Sequence, residues 1–285
     1  MAIDNRGAAN AVRKARPDCL VHIGYHRTGT SFLQTELFTL IPGAALTMFA
    51  DEAERIAADP ALRLAILTDE GLSSDLERDK PEMADELFRR FPDARVLIGV
   101  RSQYTIMRGI YHLHVKDGGT EDYESFVAAR CGGLFNYDRM VDAYRSTFGA
   151  EKVFVLLQED LSREPLASMA AVLQFAGIDP AIAAKVHNRQ VKPSAGDLTM
   201  RILRQRNRLI APLRQLSPAL HYKITRFGLP GSGFIDQTSG KTFRLPTERV
   251  RDMICDAYSA GNALLFTSLR KNIADYDYPR PERTA

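Results

Sequence analysis

From Val21 to Gln34 the chain reads Val-His-Ile-Gly-Tyr-His-Arg-Thr-Gly-Thr-Ser-Phe-Leu-Gln, an apolar run that passes through a turn bracketed by Gly24 and Gly29 into an amphipathic segment. That arrangement suits an anion. Glycines let the backbone approach an oxyanion closely, and the N–H groups of a first helical turn, with the helix dipole behind them, favour negative charge. Thr28, Thr30 and Ser31 add hydroxyl donors. Set against the triphosphate-binding pattern G-x-x-x-x-G-K-[ST], Gly24, Gly29 and Ser31 stand at the required spacing, but Thr30 occupies the lysine position. The cation lies inside the loop instead, at Arg27, where it can reach an outer phosphate or a group in transfer.

Two other places carry chemistry. The apolar run Arg95-Val-Leu-Ile-Gly-Val100 ends in Arg101; an arginine at the carboxyl end of a parallel strand faces the crevice where such sheets bind ligands, and its fork pairs with a phosphate. The run Leu64-Ala-Ile-Leu-Thr-Asp69-Glu70 delivers two carboxylates at another strand end. They can serve as a base beside that crevice or simply cap the next element. His112 and His114, two apart on a helix, point to different faces and make a poor metal pair. The basic stretch Arg201-Ile-Leu-Arg-Gln-Arg-Asn-Arg208 reads first as a solvated helix face, and second as a surface for an anionic acceptor or a membrane.

The loop Gly24-Tyr-His-Arg-Thr-Gly-Thr-Ser-Phe-Leu-Gln34 resembles the 5′-phosphosulfate loop of sulfotransferases, usually written G-x-P-K-T-G-T-T-x-L-Q, with His26 at the proline position and Arg27 at the lysine position. The resemblance extends from about Cys19 to Pro279 through Arg101, Phe135-Asn-Tyr-Asp-Arg139, Phe148 to Leu161 and Tyr276-Asp-Tyr-Pro279. It implies an enzyme that uses 3′-phosphoadenosine-5′-phosphosulfate (PAPS), releases the bisphosphate PAP and sulfates a hydroxyl of a carbohydrate or small-molecule acceptor, with no metal. By the same resemblance Arg27, Thr28, Gly29, Thr30 and Ser31 hold the phosphosulfate, and Arg101 grips the 3′-phosphate. Gly109 stands where a serine normally assists, so that Ser102 or Arg108 would supply the missing contact. Glu70 matches the base of glycan-modifying members, with His26 the second candidate. Two rivals remain open: a nucleoside-triphosphate-dependent kinase, for which Leu64 to Glu70 would be the acidic strand, and a catalytically silent nucleotide binder.

These residues need a scaffold. Runs rich in Val, Leu and Ile at Cys19 to Ile23, Leu64 to Leu67, Arg95 to Val100 and Lys152 to Leu157 read as strands buried on both faces. Helical spacing fills Thr30 to Leu40, Lys80 to Phe91, Thr105 to Lys116, Tyr123 to Arg130, Tyr137 to Phe148, Leu166 to Ala176 and Asp197 to Leu216. A last helix begins near Thr247, with an apolar stripe of Val250, Met253, Ile254, Ala257, Tyr258, Leu264, Leu265 and Leu269. Alternation of strand and helix predicts an α/β, P-loop-like three-layer fold: a central parallel sheet flanked by helices, then a helical C-terminal third. The expected organisation is a leader over 1–18, one sulfotransferase-like domain over 19–279 and a tail over 280–285, with Gly228 to Lys241 a long loop.

Composition narrows the partners. At 285 residues, with 26% charged and a net charge of +3, the bias is too mild for coating nucleic acid but compatible with a small polyanion. The apolar runs are far shorter than the roughly 20 residues that span a bilayer, so no transmembrane segment is expected. Three scattered cysteines argue against a disulfide framework and point to a reducing, cytoplasmic setting. Oligomeric state is not encoded in any of these features.

Overall fold

The computed structural model describes residues 18–25, 27–69, 80–187, 197–226 and 247–281. The chain divides into two compact units, Met1–Val100 with Arg139–Asn188, and Arg101–Asp138 with Arg189–Ala285.

The first unit is built on five strands: β1 (Asp18–Gly24), β2 (Ala44–Thr47), β3 (Leu64–Asp69), β4 (Arg95–Val100) and β5 (Val153–Leu157). They form one all-parallel sheet in the order β2-β3-β1-β4-β5. Parallel neighbours need crossovers, and the helices supply them: α1 (Thr30–Phe32), α2 (Ala50–Ala58) and α3 (Lys80–Arg90). One face of the sheet packs Leu20, Leu64, Ile66, Leu97 and Leu156 against Leu33, Leu37 and Phe38 and against Met169, Val172 and Leu173. Residues of the opposite parity, including Val21, Ile23, Leu67, Val96 and Ile98, are equally buried, so both faces are covered. The expected α/β class with its flanked parallel sheet is therefore what the chain adopts.

Several local expectations change. Thr30 to Leu40 is helical but not uniformly wound: α1 passes into a π-helical stretch (Leu33–Leu37) and then a 3-10 turn (Phe38–Leu40). The strand β2 and the helix α2 were not anticipated. Among the described residues Ala44-Ala-Leu-Thr47 pairs only with β3, and it lacks the continuous apolar signature of a central strand.

The second unit is helical over its described residues: α4 (Gln103–Lys116), α5 (Tyr123–Arg130), α9 (Asp197–Ile210), α10 (Leu213–Leu216), α11 (Pro218–Arg226) and α12 (Glu248–Ser268). The remaining helices α6 (Tyr137–Phe148), α7 (Gln158–Arg163) and α8 (Pro165–Phe175) follow α5 in the chain. The single helix expected from Asp197 to Leu216 is broken at Ala211-Pro212, because proline has no N–H to continue the ladder. Helix α12 starts as expected, with the Thr247 hydroxyl accepting from the Val250 N–H. Its inner stripe holds Val250, Ile254, Tyr258 and Leu265, but Asn262 takes the intervening turn and Leu264 faces solvent. Asn262 is there because Gln103 of α4 exchanges two hydrogen bonds with it, at 2.9 and 3.0 Å. Among the described residues no helix is long and apolar enough to cross a membrane.

Candidate anion-binding site

Strand β1 lies in the middle of the sheet, and its carboxyl end runs into the glycine-bracketed turn. Gly24 pairs in register with Gly99 of β4. That pairing leaves a gap where two side chains would stand, and the turn folds down into it. A Cβ on Gly99 would lie 3.0 Å from Thr28 Oγ1 and 3.4 Å from its Cβ; one on Gly24 would overlap Thr30 Oγ1 and sit 3.1 Å from Thr28 Oγ1. The two threonines are accordingly 1% and 2% exposed. The Thr28 hydroxyl donates to the Tyr25 carbonyl at 2.7 Å, and the Thr28 N–H reaches the same oxygen at 3.2 Å.

Above this seat the backbone turns by positive φ at Arg27 (72°) and Gly29 (90°). Gly29 caps α1, with its carbonyl accepting from the Leu33 N–H, so the amides of the first turn have no intrahelical partner and face the helix start. Ser31 is exposed on that turn and Arg27 is half-buried. Of the three hydroxyls expected to meet an anion, Thr28's and Thr30's point into the seat, and Ser31's lies at the surface. His26, within the turn, falls outside the described residues, as does Glu70.

A polar brace sits below. The π-helical stretch carries Gln34, whose Nε2 donates to Thr68 Oγ1 of β3 at 3.0 Å, while His22 Nδ1 of β1 lies 3.0 Å from the same oxygen. His22 is fully buried and meets the edge of Phe38 at 5.5 Å between centroids. The helical stretch behind the loop and two strands are thus cross-linked by one hydroxyl.

The acidic strand lies beside β1: β3 pairs with it, and Asp69 stands opposite Ile23, one residue before Gly24. Glu70 is the next residue in the chain. At the same carboxyl edge, Met48 and Phe49 follow β2 and are 58% and 70% exposed. Phe49 is not loosely held, since its N–H donates to Thr47 Oγ1 at 3.1 Å, Thr47 donates to Glu52 Oε2 at 2.5 Å, and its carbonyl starts α2.

Within the second unit, Arg101 follows Val100 directly, half-buried, with its carbonyl accepting from the Tyr137 hydroxyl at 2.7 Å. Ser102, one of two side chains expected to replace the serine missing at Gly109, is buried and its hydroxyl donates to the Asp277 carbonyl. Arg108, the other, is half-buried on α4, and so is Gly109. His112 is buried, and His114 lies 3.3 Å from Glu121. Burial, and then the nearby Arg130, pull the His114 pKa down, against the opposing pull of Glu121. Among the described residues no three His, Cys, Asp or Glu side chains cluster to hold a metal.

Sequence reading missed Gly99, Phe49 and the His22–Thr68–Gln34 brace. Only the first left a signal, a glycine inside an otherwise apolar strand, which marks close backbone approach.

No protein-family model and no curated protein matches the chain. Among solved structures, the sulfotransferase from Alicyclobacillus acidocaldarius aligns with a TM-score of 0.57 at 15% identity, over 92% of this chain and 98% of that one. Mouse sulfotransferase SULT7A1 complexed with PAP gives 0.45 at 20% identity over 60% and 62%. Sulfotransferase STF9 from Mycobacterium avium gives 0.41 at 13% identity over 95% and 79%. The likeness to the Alicyclobacillus enzyme is one of fold, and the fold is the one that the sequence resemblance implied.

Proposed function

We propose that this chain is a sulfotransferase that moves the sulfuryl group of PAPS to a hydroxyl of a carbohydrate or small-molecule acceptor. The observation that carries the reading is the loop seated on Gly24 and Gly99, with the first-turn amides of α1 and Arg27 above it, in a fold shared with a bacterial sulfotransferase. In this reading the amides of Gly29, Thr30 and Ser31 hold the 5′-phosphosulfate, while Thr28 and Thr30 keep the loop in place from below.

Sulfuryl transfer needs alignment and charge neutralisation more than covalent help. The acceptor oxygen attacks sulfur in line, the bond from sulfur to the phosphate oxygen breaks, and PAP leaves with the electron pair. Arg27 neutralises the charge that builds on the bridging oxygen. Arg101 pairs with the 3′-phosphate, with Gly109 at the position that normally helps it. Glu70 takes the acceptor proton, and its neighbour Asp69, opposite Ile23, supports that role because it anchors the strand end beside the loop. His26 is the alternative base. Met48 and Phe49 at the same sheet edge offer an apolar wall to the acceptor's body.

A triphosphate-dependent kinase is disfavoured by Thr30, whose side chain is buried under the loop where that chemistry needs a lysine amine reaching outward. Thermal shift separates these readings. Stabilisation by PAP without metal, with sulfate transfer in an acceptor panel, is the expected outcome. Stabilisation only by ATP with Mg²⁺ would overturn it in favour of a kinase, and PAP binding without turnover would leave a silent binder.

A further inference from the structure

Between Asp197 and Arg226 the sequence holds six arginines and one lysine against a single acid, Asp197, a net of +6 in a chain whose total is +3. The remainder of the chain is therefore net negative, and the positive charge is concentrated on α9 to α11. Helix α9 buries Met200, Leu203 and Asn207; Asn207 Nδ2 donates to the carbonyls of Val115 and Gly119 at 2.6 and 2.9 Å, which fixes how the helix is rotated. On its opposite side Leu198, Ile202 and Leu209 recur at helical spacing, bordered by the exposed Arg201 and Arg208. Leu209 is 82% exposed and Leu216 of α10 is 80% exposed, with Tyr222 and Lys223 of α11 also exposed. Arg208 is exposed, donates its Nε–H to the Thr120 carbonyl at 3.3 Å and lies within electrostatic reach of Asp122.

We infer that this face docks peripherally on an anionic lipid bilayer. Guanidinium groups beside large apolar side chains match an interface that offers phosphate and hydrocarbon within a few ångströms of each other. A soluble polyanion would satisfy the arginines but give Leu209 and Leu216 nothing. The inference does not depend on the reaction proposed for the loop.

The test is co-sedimentation of the full chain with phosphatidylcholine vesicles, with and without phosphatidylglycerol, at low and high salt. Binding is expected only to the anionic vesicles, falling with salt. Arg201→Gln with Arg208→Gln should weaken it by about fivefold per cation. Leu209→Ser with Leu216→Ser should also lower it, while leaving retention on immobilised heparin unchanged. Failure to bind anionic vesicles overturns the inference. So does binding that ignores the leucine pair, which would mark a site for a soluble polyanion or an acidic protein. A drop in melting temperature for the leucine pair, without vesicle binding by the parent chain, would assign those side chains to the chain's own packing. The arginine pair, both exposed, keeps the test informative if the leucine variant does not fold.

Discussion

Replacing Gly24 with alanine tests whether the loop depends on its seat. The added methyl would overlap Thr30 Oγ1 and lie 3.1 Å from Thr28 Oγ1 and 3.4 Å from His22 Nε2. None of these can swing aside, because all three residues are buried and the first belongs to the helix start. The loop must then rise by several tenths of an ångström or more. Overpacking of this kind costs about 1–3 kcal/mol of stability, and a misplacement near 1 Å costs up to about 100-fold in rate. Urea unfolding should register the first and sulfate transfer the second, with the PAP dissociation constant, read by calorimetry, rising about tenfold. Adding Thr30→Ala removes the overlapping hydroxyl, so the double variant should be less destabilised than the sum of the singles by about 1 kcal/mol. Gly24→Ala with stability within about 0.5 kcal/mol of the parent and unchanged PAP affinity would refute the seat.

Arg101→Ala should weaken PAP by about 10- to 100-fold yet barely change adenosine 5′-phosphosulfate, which lacks the 3′-phosphate; equal losses would remove Arg101 from that role. Phe49→Ala should leave the melting temperature and PAP affinity alone and raise the acceptor KM by about 2- to 10-fold, whereas an unchanged KM places the acceptor elsewhere. Asp122 caps α5 through the Ser125 N–H at 2.8 Å, so Asp122→Ala should cost about 1 kcal/mol at neutral pH. Hydrogen bonds from Ser125 hold the Asp122 pKa down, so its contribution is present above the unfolded carboxylate pKa and is lost as pH falls through the lower folded value; the gap to Asp122→Asn should close in acid. His114 is also held low, chiefly by burial, which makes its neutral form the folded one. Stability should therefore fall as pH drops below 6.5, and His114→Gln should flatten that slope in a pH series of urea melts.

How much of this was legible in the sequence follows from burial. Four strands announced themselves because burial on both faces leaves no room for polar alternation, and β3 ran two residues further than its apolar stretch, to Asp69. Strand β2 did not, since an edge strand of four residues with one partner needs little apolar surface. In α12 the apolar count chose Leu264 over Asn262, because the groups that make an asparagine belong inside, Gln103 and the Pro279 carbonyl, come from elsewhere in the chain. The anion loop was readable from its glycine spacing. Which way its hydroxyls turn was not, since that depends on Gly99, brought alongside by strand pairing. The change of winding from Thr30 to Leu40 has no local sequence cause that we can name.

Arg27 sits at φ 72°, a backbone region that a side chain with a Cβ enters at a cost of about 1–2 kcal/mol. Glycine would occupy it without strain, and glycine's larger unfolded freedom, about 0.5–1 kcal/mol, offsets part of that relief. An Arg27→Gly protein should thus recover backbone strain in urea melts while losing the guanidinium proposed to meet the anion. Selecting this chain for heat resistance alone would put its guanidinium at risk, so a thermostabilising screen needs a turnover readout beside it.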